Sequence, residues 1–278
     1  MPVAIDALAA AAVGALAGLH AATWGMYKDA PHEGFTWRTY LRSVWVGAAL
    51  GPLVMTLFAL SPLAPAGAVL LFGATYAAER LAHEFYKTFL RREDQSKYFI
   101  PMALSVGGRV VRGQGVRLVA GTPYLAGLVG LGYGIHLFER LTSGAQAGVL
   151  PVLLVGSAGG WISALGGVWK DAPIEGFELR KFFRSPVIAL AYAAVGAGLS
   201  NDYLLVSIAA VGFTVATCET YKTFFFPSVP RGKFAGMPVR FPSMLARRRA
   251  FVPLYAAIWM TVAAAGALAF AGPRAGVW

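Results

Sequence analysis

Five stretches of this chain run for at least 21 residues without a single Asp, Glu, Lys or Arg: 7–27, 43–78, 118–138, 141–169 and 250–273. A sixth, 185–218, is interrupted only by Asp202. A helix at the surface of a water-soluble protein must show water a polar face, and these stretches have none to show. A membrane-crossing helix needs about 20 mostly apolar residues. The 43–78 stretch is too long for one crossing and breaks at Ser61-Pro62-Leu63-Ala64-Pro65; the 185–218 stretch breaks at Ser200-Asn201-Asp202. The pattern therefore predicts an all-α integral membrane protein of about eight spans, near 5–26, 43–61, 66–88, 117–138, 147–169, 185–200, 203–224 and 250–272. Only 13% of the residues are charged, against about 25% in soluble domains, which excludes a soluble bundle.

The chain also repeats itself. Residues 13–43 match residues 155–185 at 15 of 31 positions, all at an offset of 142, and the shared set includes Lys28-Asp29-Ala30-Pro31, Glu33-Gly34-Phe35, Arg38, Arg42 and Ser43. A second block, Glu84-Phe85-Tyr86-Lys87-Thr88-Phe89, recurs as Glu219-Thr220-Tyr221-Lys222-Thr223-Phe224 at an offset of 135. Chance similarity between apolar segments does not place rare charged residues in register at two separate blocks. A period this long points to a duplicated domain rather than a solenoid, with copies over 1–141 and 142–278. Four spans per copy is an even number. The two copies are then expected to sit the same way up, as a 4+4 parallel tandem repeat about a pseudo-twofold axis along the membrane normal, one of the known transporter plans. The first apolar run aligns with the fifth and lacks a basic leading region, so it reads as part of the fold rather than a signal peptide.

The loop charges give an orientation. Of 24 Lys and Arg, 22 lie in or beside the loops after spans one, three, five and seven; only Arg140 and Arg274 fall on the other side. Basic loops stay cytoplasmic, so both termini are expected outside, in the plasma (inner) membrane. The net charge of +11 is thereby explained by topology and attraction to anionic lipid headgroups. No stacking platform or groove-reading motif accompanies it, so nucleic acid is not an expected partner. The lone Cys218 allows no disulfide within the chain.

The repeated charges are the candidate site: Lys28, Asp29, Glu33, Arg38, Arg42, Glu84 and Lys87 in the first copy, and Lys170, Asp171, Glu175, Arg180, Arg184, Glu219 and Lys222 in the second. Ala30 precedes a proline and is expected to be extended, with a short helix starting at Pro31. Ser185-Pro186 reads as the cap and first residue of span six, with Ser43 its equivalent. A carboxylate at Glu219 should lie just inside the cytoplasmic boundary, where it is costly unless paired or hydrated. Its expected partners are Arg180 or Arg184, and those of Glu84 are Arg38 or Arg42; Lys28 and Lys170 have Asp29 or Asp171 of the other copy as alternatives. Lys87 and Lys222 are expected to snorkel. Near-balanced charge suits ion pairs locking a gate, a phosphate site with arginine forks, or a divalent-cation site, although no metal-specific spacing appears.

Gly14-x-x-x-Gly18 recurs as Gly156-x-x-x-Gly160, a spacing that lets membrane helices approach closely. All four histidines, His20, His32, His83 and His136, lie in the first copy. His20 and His136 fall at different depths, which disfavours a haem. The glycine-rich basic loop 106–115 lacks the Lys-Ser/Thr ending of a phosphate-cradling loop. No Ser-His-Asp pattern, CxxC or metal-ligand cluster stands out, and no cofactor is implied. The leading expectation is a transporter or channel-like protein with a charged cytoplasmic-face site. The alternatives are a membrane enzyme acting on a phosphorylated lipid, or a noncatalytic subunit of a membrane complex with membrane-protein partners or a second copy of itself.

Overall fold

The structure is a computed structural model that describes residues 2–94, 98, 102–106, 109–142, 149–229, 231, 234–273 and 275–277; for residues 2, 3, 149, 170, 171 and 173–175 it describes the backbone alone. The architecture is all-α. The elements are α1 (Pro2–Glu33), α2 (Trp37–Leu57), α3 (Pro65–Phe85), α4 (Gln114–Thr142), α5 (Val149–Glu175), α6 (Leu179–Ala197), α7 (Tyr203–Phe224), the short α8 (Ser243–Arg247) and α9 (Val252–Ala271). A single π-helical turn, Tyr86–Leu90, extends α3, and a 3-10 turn, Arg248–Phe251, joins α8 to α9. The only strands among the described residues are two-residue pieces, β1 (Ser105–Val106) and β2 (Arg109–Val110), paired antiparallel.

Among the described residues, six helical segments are long and apolar enough to cross a membrane: Ala4–Glu33, Trp37–Leu57, Gln114–Thr142, Leu150–Trp169, Tyr203–Phe224 and Ser243–Ala271. The two remaining long helices, α3 and α6, carry charges within their length: Glu79 and Arg80 in α3, and Arg180, Lys181 and Arg184 in α6. Many large apolar side chains face outward, including Trp45, Leu53 and Leu57 of α2 and Val119, Val129 and Leu141 of α4. Water would oppose such exposure at about 25 cal/mol per Å²; lipid would not.

The chain divides into two compact units, Met1–Glu79 with Ala147–Trp278, and Arg80–Gln146. In the larger unit, helices from both sequence repeats share one core: Ala10, Ala17 and Ala21 of α1, Leu70–Phe72, Ala74 and Tyr76 of α3, Leu205, Ala209, Phe213 and Ala216 of α7, and Ile258, Val262 and Ala269 of α9. In the smaller unit, Gly121 of α4 packs against Phe85 and Phe89, and Tyr124 stacks beside both rings.

Small residues set the helix spacing, as the repeated glycines imply. A methyl group added at Gly14 or Gly18 of α1 would overlap the carbonyls of Gly47 and Ser43 in α2. Added at Gly156 or Gly160 of α5, it would meet Ala193 and Ala189 in α6. Position for position at the 142-residue offset, Ser43, Gly47 and Gly51 correspond to Ser185, Ala189 and Ala193, so the α1–α2 and α5–α6 pairs pack in the same register. α3 and α7 meet at Gly73 and Gly212, where a side chain on Gly212 would overlap the Gly73 carbonyl.

Candidate functional site

The first repeated motif does not break the helix that carries it. α1 runs through Pro31 to Glu33 and α5 runs to Glu175, so the expected extension at Ala30 and new helix at Pro31 are both corrected. Proline inside a helix leaves the carbonyl four residues earlier without its partner. Here that carbonyl, Tyr27 O, accepts from Arg248 Nη1 at 3.3 Å. The Pro31 carbonyl accepts from the backbone N–H groups of Arg240 and Phe241, both at 2.9 Å, and His32 Nδ1 lies 3.0 Å from Pro238 O. Contacts from the far end of the chain replace what proline removes. The helix ends one turn later, at Gly34 (φ 85°) and, in α5, at Gly176 (φ 80°). Their N–H groups bond back to Ala30 O and Ala172 O, and their left-handed backbone is one that glycine adopts without strain.

The next helices also start earlier than expected. α2 begins at Trp37, capped by Thr36 Oγ1 accepting from Thr39 N at 3.2 Å, and α6 begins at Leu179. Ser43 and Ser185 therefore lie inside helices, where both are buried. Pro186 sits within α6 rather than at its start.

The second repeated motif forms the centre of the site. Lys28 Nζ of α1 donates to Glu219 Oε2 of α7 at 3.0 Å, with the two side chains only 11% and 15% exposed. Lys222 Nζ adds a second contact to the same carboxylate at 3.5 Å. Lys28 also lies over the Trp24 ring, 5.4 Å from its centre. Glu219 thus takes Lys28 and Lys222 rather than Arg180 or Arg184, and through it Lys28 reaches a carboxylate of the other repeat. In the smaller unit Lys87 Nζ stands 3.4 Å from Glu84 Oε1. Both lysines thus hold a glutamate one turn back on their own helix. Asp29 and Glu33 are half-buried. Arg38, Arg42 and Arg180 are exposed, and Arg184 is half-buried with its guanidinium 5.7 Å from the centre of the Tyr221 ring. The side chains of Lys170, Asp171 and Glu175 lie outside those described.

Beside the ion pair stands a buried polar network not expected from the sequence. His20 is fully buried and ringed by Phe72, Tyr76, Tyr255 and Trp259, with ring centres 4.4–6.3 Å away. Its Nδ1 lies 3.3 Å from the Tyr76 hydroxyl, which also accepts from Trp24 Nε1 at 2.7 Å. Across the seam, Thr220 Oγ1 and the Tyr255 hydroxyl are 2.6 Å apart, and Trp259 Nε1 donates to Thr220 Oγ1 at 3.1 Å. The network descends from the middle of α1 to Trp24, one turn from Lys28, and to Thr220, next to Glu219. Its members come from four helices and share no sequence motif, so only the isolated, apolar-flanked His20 could have marked it. Glu79 of α3 is also fully buried, and the corresponding position of the second repeat is Thr214.

A cavity of about 110 Å³ opens where α5, α6 and α7 end or begin, lined among others by Lys181, Arg184, Glu219, Lys222 and Arg231. No group of three or more His, Cys, Asp or Glu side chains placed to hold a metal ion occurs among the described residues. No family profile, curated protein or solved structure matches the chain.

Proposed function

We propose that the chain is a membrane transporter or channel-like protein of eight spans in two parallel four-helix copies, closed at its cytoplasmic end by the Lys28–Glu219 pair. The observation that carries this reading is the pair itself. It ties α1 of the first copy to α7 of the second, and both side chains are largely withdrawn from solvent. A pair in that position is a bistable contact: closed, it compensates two charges in a low-dielectric setting; open, each charge needs water or a ligand. An anion reaching the seam competes for Lys28 and Lys222, and a cation competes for Glu219. The Trp24, Tyr76, His20, Thr220 and Tyr255 groups supply polar contacts along an otherwise apolar interior, which suits a route for a small polar solute. The 22-to-2 bias of Lys and Arg supports the orientation, with both termini on the non-cytoplasmic side. The basic face is suited to anionic lipid headgroups.

The test is flux through the purified chain in liposomes of neutral lipid, with protons, potassium, chloride and inorganic phosphate as probes. Lys28→Met and Glu219→Gln should each raise the flux of at least one probe several-fold over the unmodified chain. Flux equal to that of empty liposomes for every probe, in all three proteins, overturns the reading.

A further inference from the structure

The cavity lies between α5, α6 and α7. We propose that it is a binding site for a phosphate group, carried either by a lipid headgroup or by a free phosphorylated solute, with Arg184 and Arg231 as its principal ligands. The inference does not depend on transport.

The charge in the lining favours an anion. Among the described residues of the lining, four basic side chains, Lys181, Arg184, Lys222 and Arg231, face two acidic ones, Glu178 and Glu219. Both carboxylates are already taken: Glu178 Oε1 by Lys181 at 2.9 Å, and Glu219 by Lys28 and Lys222. The excess of two positive charges therefore resides on the two arginines. A phosphate monoester carries about −1.5 to −2 near neutral pH, which matches it.

The arginines are held as recognition groups. The Arg184 guanidinium lies over Tyr221, and that of Arg231 over Phe226 at 3.6 Å. A guanidinium stacked on a ring keeps its N–H edge free for an in-plane acceptor, the geometry that suits phosphate oxygens. Arg184 Nε is buried without a hydrogen-bond partner among the described residues. A buried charged donor left unmatched is costly, and a phosphate oxygen in the cavity would match it. The start of α6 borders the same space. Its first helical bond is Phe182 N to Glu178 O, and the Glu178 side chain makes no cap bond. The leading N–H groups therefore add the positive end of a 19-residue helix.

The corresponding residues of the first repeat differ in identity and surroundings. The positions of Lys181 and Phe182 are there Thr39 and Tyr40. Tyr40 is buried, bonded to Thr23 Oγ1 at 2.8 Å and packed with Met26, Ala30, Met244 and Phe251, while Arg42 points to the exterior.

The experiment uses the full chain in nanodiscs. In phosphatidylcholine discs, inorganic phosphate is titrated against thermal stability, with chloride as the comparison; in a second arm, phosphatidic acid replaces part of the lipid and no phosphate is added. Saturable stabilisation by phosphate identifies a soluble source, and stabilisation by phosphatidic acid alone identifies a headgroup. Arg184→Gln and Arg231→Gln should each weaken the effect about tenfold, the loss expected for one charge-assisted hydrogen bond. Arg249→Gln, an exposed neighbour in the basic face, should leave it unchanged. Should a glutamine variant fail to fold, the Lys variant, which keeps charge but loses the fork, should still weaken binding severalfold. No saturable effect in either arm, or equal losses at Arg184, Arg231 and Arg249, overturns the proposal.

Discussion

Lys28 Nζ lies 3.0 Å from Glu219 Oε2, so one repeated motif of the first copy is joined to the other repeated motif of the second. Glu219 also faces Lys222 at 3.5 Å, so removing the carboxylate takes a contact from two cations, whereas removing Lys28 takes one contact from one carboxylate. Glu219→Gln should therefore destabilise more than Lys28→Met, by about 3 kcal/mol or more. The double variant should recover about 1 kcal/mol or more relative to the sum of the single losses. A double-mutant cycle on thermal unfolding in detergent checks this; strict additivity would mean the two charges act independently.

Arg248 and Pro31 should also be coupled. Arg248→Met leaves the Tyr27 carbonyl without its donor and should cost about 1–3 kcal/mol, the penalty for an unmatched buried acceptor. Pro31→Ala restores an N–H in the helix that can reach that carbonyl. In the Pro31→Ala background the Arg248 loss should fall to less than half. An undiminished loss would show that Arg248 acts through its contact over the Tyr27 ring or its 2.7 Å bond to Pro227 O.

The glycines should separate into two classes. Gly18→Ala and Gly212→Ala force a methyl into a neighbouring backbone carbonyl and should destabilise by about 2 kcal/mol or more, as overpacking does. Gly25→Ala and Gly130→Ala meet nothing within 4 Å and should be neutral or stabilising by up to about 1 kcal/mol, the helix preference of alanine over glycine. Comparing melting temperatures of the four variants distinguishes helix contact from mere glycine abundance.

Tyr76→Phe removes the hydroxyl that accepts from Trp24 Nε1 and faces His20. It should cost about 1–3 kcal/mol and shift the tryptophan fluorescence of the chain. Thr220→Val, on the other side of the seam, should act similarly through Tyr255 and Trp259. Neutral outcomes at both positions would reduce the network to packing.

For orientation, a cysteine at Ser228 should be shielded from impermeant thiol reagents in intact cells, and one at Asn201 should label, in a chain carrying Cys218→Ser. The 22-to-2 charge bias sets this expectation. The reverse pattern would invert the protein in the membrane.

The helices were legible because charge-free runs have few other uses in a folded chain, and every expected span has a helix at its place. The proline signals misled for a specific reason. Ala30-Pro31 and Ser185-Pro186 obey local backbone preference only when nothing else satisfies the freed carbonyls, and at Pro31 residues from 240 to 248 do so. The glutamates were legible as costly charges, but the identity of the Glu219 partner was not. Sequence proximity favoured the arginines of the same copy, whereas α7 packs beside α1 of the other. His20 gave only the signal of a polar residue among apolar ones. Its partners sit on α3 and α9 at no fixed spacing, and packing alone brings them together.

His32 and Pro238 meet across 206 residues of sequence, and Arg248 and Tyr27 across 221. Polypeptide is made at about 5–20 residues per second, so roughly 10–40 s separate the synthesis of the end of α1 from that of the segment that covers it. Throughout that interval the carbonyls of Tyr27 and Pro31 must be hydrated or held by another molecule. Although made long before that segment, α1 is therefore among the last of the described helices to be finished. A ribosome stalled, or a chain truncated, before residue 238 would leave a complete set of first-copy helices whose opening helix still lacks its cover, a state for quality-control machinery to recognise.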